Sequence, residues 1–172
     1  MEEKLLAIAD EVIALSTSNE QIEVIAVHDQ ETDIRVYKGE LESFTASESQ
    51  GVGIRVVKDG RQGMAYAGSL DMEILKETLS EARDNATFGT YDEMLQIAEP
   101  DNVEPISIDL YNPALKKFAT EDKIALAKEL EEYILKSDER IVGVESSEYV
   151  DSISASAIVT SNGIRRSSYD GG

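Results

Sequence analysis

Leu5, Ile8, Ala9, Val12 and Ile13 recur at helical spacing near the start of the chain and predict an amphipathic helix. Glu2 and Glu3 fall in its first turn, where the helix dipole favours acids, and polar Ser16 to Glu20 ends it. Strand-like runs follow at 22–28, 33–37, 41–47 and 51–57, and a fifth at 62–67. Val52, Ile54 and Val56 share one face of the fourth. Asp59-Gly60 between two alternating runs predicts a type I′ hairpin, and Gly39 marks another. Short links imply antiparallel neighbours. A second helix is expected from about Asp71 to Ala86, burying Met72, Leu75, Leu79 and Ala82.

Past Arg83 the pattern breaks. No Lys or Arg occurs until Lys116, while Asp84, Asp92, Glu93, Glu99, Asp101, Glu104 and Asp109 fall in the gap with Pro100, Pro105 and Pro113. Such a stretch predicts an extended acidic crossing, with Ile106, Ile108, Leu110 and Tyr111 able to dock on a surface. A third helix follows, with Thr120 as N-cap and a stripe of Ala127, Leu130 and Ile134 widened by Ile124 and Leu126. Strands are expected at 140–149 and 153–160, then a hairpin at Asn162-Gly163 and a last strand at 164–169.

The fold expected is therefore α+β: an antiparallel meander sheet packed by two helices, followed by a helix and hairpin that begin a second α+β domain. The divisions fall at 1–88 (helix, five strands, helix), 89–115 (the crossing) and 116–172 (helix, three strands). The last part is a thin core for its length.

Composition narrows the function. At 41% hydrophobic and 30% charged residues the chain reads as a soluble globular protein. Sixteen Lys and Arg against 35 Asp and Glu give a net charge of −19. That charge opposes nucleic acid as a partner, since phosphate contacts need a basic stripe, and opposes anionic membrane. With no cysteine there is no disulfide framework and no thiolate metal site. No apolar run reaches the roughly 18 residues of a membrane span. Met1-Glu2-Glu3-Lys4 lacks the basic start of a signal peptide, so a cytoplasmic location is expected.

Motifs for chemistry are mostly incomplete. Asp29, Glu31, Asp33 and Glu40 match four positions of an EF-hand loop, but Ile34 stands where glycine is required, so a solvated hairpin turn is the better reading. Gly51-Val-Gly53 opens like a dinucleotide fingerprint, yet Val56 stands at the third glycine and no helix follows. These glycines fit a bulge or a close backbone approach. His28, the only histidine, ends a strand run with no motif around it and reads as a core-edge residue. No serine lies in Gly-x-Ser-x-Gly or has a Ser-x-x-Lys partner. No catalytic or metal-binding residue is assigned.

The segment Gly51-Val-Gly-Ile-Arg-Val-Val-Lys-Asp-Gly-Arg-Gln-Gly-Met-Ala-Tyr-Ala-Gly68 resembles the signature hairpin of the TldD/PmbA family, once called modulators of DNA gyrase. Asp33-Ile-Arg-Val-Tyr, Glu40-Leu-Glu-Ser-Phe and Glu81-Ala-Arg83 resemble the same family's first domain. Asp109-Leu-Tyr-Asn-Pro113, the 121–132 helix, Ser137-Asp-Glu-Arg-Ile141 and Ser161-Asn-Gly-Ile164 resemble the start of its second. The motif residues are Gly51, Gly53, Arg55, Asp59, Gly60, Gly63, Asn162 and Gly163.

The resemblance implies a dimeric zinc peptidase system that trims unfolded peptides. Its metal-bearing arm carries a His-Glu-x-x-x-His helix, beyond the part this chain resembles. The PmbA (TldE) arm lacks that motif, and Asp109-Leu-Tyr-Asn-Pro is closer to it. The expected role is thus dimerisation with a second family subunit and shaping of a peptide chamber, with no cofactor in this chain and zinc in the metal-bearing arm. Two other readings stand beside it. One is an acidic module that binds a basic partner such as DNA gyrase. The other is a stand-alone enzyme built on His28, for which no partner set is visible.

Overall fold

The computed structural model describes residues 1–101, 103, 106 and 108–172. Its architecture is α+β. Helices α1 (Glu2–Ile13), α2 (Met72–Phe88) and α3 (Thr120–Ser137) accompany six strands: β1 (Gln21–Tyr37), β2 (Glu40–Lys58), β3 (Arg61–Ala67), β4 (Leu110–Tyr111), β5 (Ser147–Thr160) and β6 (Arg165–Gly171). The sheet order is β3-β2-β1-β5-β6-β4. No described helix is long and apolar enough to cross a membrane.

The five strand runs expected over 22–67 are three strands. The polar residues at 29–33 and 48–50 looked like breaks, but they are solvated stretches within long strands. Asp29, Glu31 and Asp33 therefore lie inside β1, not in a hairpin turn. The turn falls at Lys38-Gly39, with φ of 53° and 74°, and Asp59-Gly60 repeats it with 51° and 67°. Positive φ at both central residues is the type I′ signature. The strand expected at 140–149 begins only at Ser147 and runs unbroken into the next. β5 lies beside β1, and β4 joins β6 in parallel, so the sheet is mixed.

Four strands, β1, β2, β5 and β6, contribute residues to both of the chain's compact units. The first unit comprises Met1–His28, Ser49–Ile108 and Ser154–Tyr169, and the second Asp29–Glu48, Asp109–Ile153 and Asp170–Gly172. Each unit is thus assembled from three separate stretches of sequence.

In the first unit one apolar cluster joins α1 (Leu5, Ala9, Val12), β1 (Ile22, Val24), β2 (Val52, Ile54, Val56), α2 (Leu75, Leu79, Ala82) and β5 (Ala155, Ala157). Each fully buried Leu, Ile or Val of this cluster contributes about 1.5–3 kcal/mol of transfer free energy. Asp71 caps α2 by accepting from Glu73 N at 2.9 Å. Arg83 ties α2 to the loop before β1: its Nη2 donates to Glu20 Oε1 at 2.6 Å and to Leu15 O at 2.8 Å. Burial alone would raise the Glu20 pKa, but the bonds from Arg83 and Thr17 and the Arg83 charge together outweigh it and hold the carboxyl below its ordinary range.

The crossing docks differently from expectation. Ile106 and Ile108 are 87% and 66% exposed, and Leu110-Tyr111 forms β4. The buried anchor is Ile97: its N–H donates to Gln21 Oε1 at 2.8 Å, and its carbonyl accepts from Asn162 Nδ2 at 2.7 Å. Two side-chain amides thus satisfy the backbone of an irregular segment, which burial requires. Glu104 and Pro105 of the expected crossing lie outside the described residues.

Candidate functional site

The motif residues do not converge. Gly51, Gly53 and Arg55 lie on β2, Asp59 and Gly60 in the following turn, and Gly63 on β3. Asn162 and Gly163 sit in the β5–β6 turn, where only Gly163 has positive φ, at 101°. The expected hairpin is present, joining neighbouring strands β5 and β6, and the Asn162 side chain donates from this turn to Ile97 O. Most motif residues of the β2–β3 hairpin have their own structural account, and Gly53 has none. A Cβ on Gly63 would lie 2.2 Å from Ala82 O and Ala86 N of α2. One on Gly51 would lie 3.2 Å from Ala67 O. Gly53 has open space and sits in an unbroken ladder opposite Tyr66, so neither a bulge nor a close approach explains it. Arg55 pairs with Glu23 at 3.0 Å.

The chemistry-bearing residues of the second unit were not singled out by sequence. Lys123 enters from the first turn of α3 and meets Asp151 of β5, Nζ to Oδ2 at 2.5 Å, with both side chains nearly buried. Tyr149 Oη donates to the same Oδ2 at 2.7 Å. The Lys123 ammonium lies 5.6 Å from the centre of the Tyr149 ring, and Phe118 meets that ring edge-on at 5.9 Å. Burial alone would raise the Asp151 pKa, but hydrogen bonds from Lys123, Tyr149 and Thr32 hold it below its ordinary value. Burial, then the bond to Asp151 and its charge, pushes Tyr149 up to about 12. The carboxylate therefore stays ionised and the phenol protonated across neutral pH, which suits anchoring more than proton transfer.

Glu131, two turns along α3, completes the anchor. Its carboxylate accepts from Lys38 N at 2.7 Å and Gly39 N at 2.6 Å. Successive N–H groups at a turn form an anion-binding nest. Ser147 Oγ donates to Ala127 O at 2.8 Å. The inward residues of α3 are thus Lys123, Ala127 and Glu131, over Ile34 and Val36. The expected stripe is corrected: Leu126 and Leu130 are 47% and 46% exposed, because ionic anchors set the helix rotation. Thr120 is likewise the first helical residue, with Ala119 at the cap position.

Beside this cluster lies a cleft of about 440 Å³, lined by Thr32, Ser47, Phe118, Lys123, Asp151 and Ile153 among others. It adjoins a bare strand edge. β3 pairs with β2 only from Val52 onward, so the earlier part of β2 has β1 on one side and no described strand on the other. Every residue from Glu40 to Gln50 is exposed. The stretch has no proline and no lysine, two common devices that blunt an edge.

Comparison with known proteins gives this arrangement its context. Residues 22–86 match the domain described as PmbA/TldA metallopeptidase domain 1, and residues 113–170 match the PmbA/TldA metallopeptidase central domain. The chain belongs to the PmbA/TldD family. Among solved structures, a Thermotoga maritima protein named as a candidate modulator of a DNA gyrase superposes with a TM-score of 0.80 at 21% identity, covering 96% of this chain and 37% of its own. TldE from Thermococcus kodakarensis gives 0.75 at 18% identity, with 98% and 36% covered. An uncharacterized protein of Methanocaldococcus jannaschii is 34% identical over 59 residues, 34% of this chain and 14% of that one. The chain thus spans little more than a third of the solved relatives' length.

Metallopeptidase chemistry needs a metal, and the described residues do not fit one. The chain has one histidine and no cysteine. Among the described residues no three His, Cys, Asp or Glu side chains are grouped to hold an ion. His28 itself is buried.

Proposed function

We propose that this chain serves a PmbA/TldD-type peptidase system by holding an extended, unfolded peptide as an added strand on the Glu40–Glu48 edge of β2. It acts with a second subunit of the family, as a homo- or heterodimer, and the zinc residues lie outside this chain. The cleft beside Lys123 and Asp151 forms part of the chamber wall.

The bare edge carries the reading: β2 extends well past the end of β3 and stays exposed throughout. An added strand gains main-chain hydrogen bonds without reading side chains, which suits unfolded substrates of varied sequence. The family's description as metallopeptidases supplies the reaction class. Cleavage of an unfolded peptide by a metal-bearing family subunit, measured with and without residues 1–172, tests the role. Faster cleavage in its presence is expected, and equal cleavage overturns the proposal.

A further inference from the structure

We infer that the β2 edge takes cationic strands in preference to neutral or acidic ones; this rests on the strand-addition reading above. From Gly39 through Ile54 the chain has no Lys or Arg, while Glu40, Glu42 and Glu48 punctuate the exposed stretch. The Glu40 side chain is 88% exposed, and Lys128 approaches it only to 3.9 Å. Arg35 lies 2.8 Å from Glu42 but also 3.7 Å from Glu148, so one cation faces two carboxylates there. The net charge of −19 adds a long-range field of the same sign.

These acids also decide against the simplest competing occupant. A second copy of this chain, laid edge to edge, would bring carboxylates against carboxylates, and like charges directly opposite destabilise a pair of strands. A strand bearing Lys or Arg gains at the same positions. Phe44, on the same face of the strand as Glu40, Glu42 and Glu48, is close to half exposed and offers apolar surface on which the methylene stems of those Lys or Arg side chains can lie.

Fluorescence anisotropy with labelled nonapeptides tests this. The probes are Thr/Val peptides carrying three Lys, three Gln or three Glu at the same positions, and a Lys peptide N-methylated at alternate backbone nitrogens. Opposite-charge cross-strand pairs predict a Kd about tenfold lower for the Lys than for the Glu peptide, with Gln between them. The gap narrows from about 0.02 M to about 0.5 M salt. N-methylation abolishes binding. The Glu40→Gln, Glu42→Gln, Glu48→Gln variant binds the Gln peptide unchanged and loses most of the Lys advantage.

Equal binding of Lys, Gln and Glu peptides, with N-methylation still abolishing it, overturns the charge preference and leaves strand addition standing. A Lys advantage undiminished in the triple variant also overturns it, since the selecting charge would lie elsewhere on the surface. Undiminished binding of the N-methylated peptide removes strand addition itself, and this inference with it.

Discussion

Gly63→Ala tests the closest packing in the first unit. The new Cβ would stand 2.2 Å from Ala82 O and Ala86 N and 2.7 Å from the Asn85 carbonyl carbon. All three are backbone atoms of α2, so no side chain can swing aside. Ordinary contact begins near 3.4 Å, which requires β3 and α2 to part by about 1 Å. That movement would loosen Leu79 and Ala82, both buried in the core. Overpacking a core costs about 1–3 kcal/mol, and a rigid neighbour places this site at the top of that range, near 3 kcal/mol. At about 2–4 °C per kcal/mol for a chain of this size, the melting temperature should fall by about 6–12 °C. Gly53→Ala is the control, because its Cβ would meet nothing within 4 Å. It should leave stability unchanged or raise it by up to about 1 kcal/mol. Urea unfolding and calorimetry of both variants measure the pair. A Gly63→Ala loss below about 1 kcal/mol, or equal losses at both sites, would refute the packing argument.

Asp151→Asn leaves Lys123 buried without its counter-charge and should cost about 3–5 kcal/mol in urea unfolding. Because the folded pKa of Asp151 lies below its ordinary 3.8, the stabilisation is present above that value and is lost as pH falls through the folded pKa. The gap between wild type and variant should therefore close in acid; a gap constant down to pH ~2 would contradict the assignment. Tyr149, at about 12 against an ordinary 10.0, should be the component of the ultraviolet phenolate titration that Tyr149→Phe removes at the high end. Its contribution to stability is complete below pH 10 and declines as pH rises towards 12, so loss of a component near 10 instead would refute its burial. Glu131→Ala removes two charge-assisted bonds to the Lys38-Gly39 turn and should cost about 2–4 kcal/mol. Hydrogen exchange at those two amides should quicken; unchanged protection would show that the turn does not depend on Glu131.

The architecture was legible where burial follows period. Leu5, Ala9 and Val12 mark α1, Leu75, Leu79 and Ala82 mark α2, and Val52, Ile54 and Val56 mark the inner face of β2. Asp59-Gly60 and Lys38-Gly39 announce turns because few residues accept positive φ. Strand length was less legible. A strand half exposed on both faces has no apolar alternation, so residues 40–50 and 29–33 read as weak strand or loop although the ladder passes through them. Long-range pairing was not legible: β5 finds β1 from more than a hundred residues away, and nothing local to Ser147–Thr160 specifies that neighbour.

The second unit shows why charge is a poor guide to burial in a chain this acidic. Lys123, Ala127 and Glu131 lie four residues apart along α3, a spacing as visible as that of the leucines. In sequence Lys123 and Glu131 look like solvated positions, and the usual rule places Lys and Glu outside. What reverses the rule is the partners each one meets: Asp151 for the lysine, and two turn amides for the glutamate. None of those partners is near in sequence, so the leucine stripe had no visible competitor. Once the ionic anchors fix the helix, Leu126, Leu130 and Tyr133 must face outward whatever their transfer free energy prefers. The same reasoning bears on the edge of β2. Its acids lie on an exposed stretch, so their carboxylates stay at the water-facing surface, where they can discriminate between strands by charge.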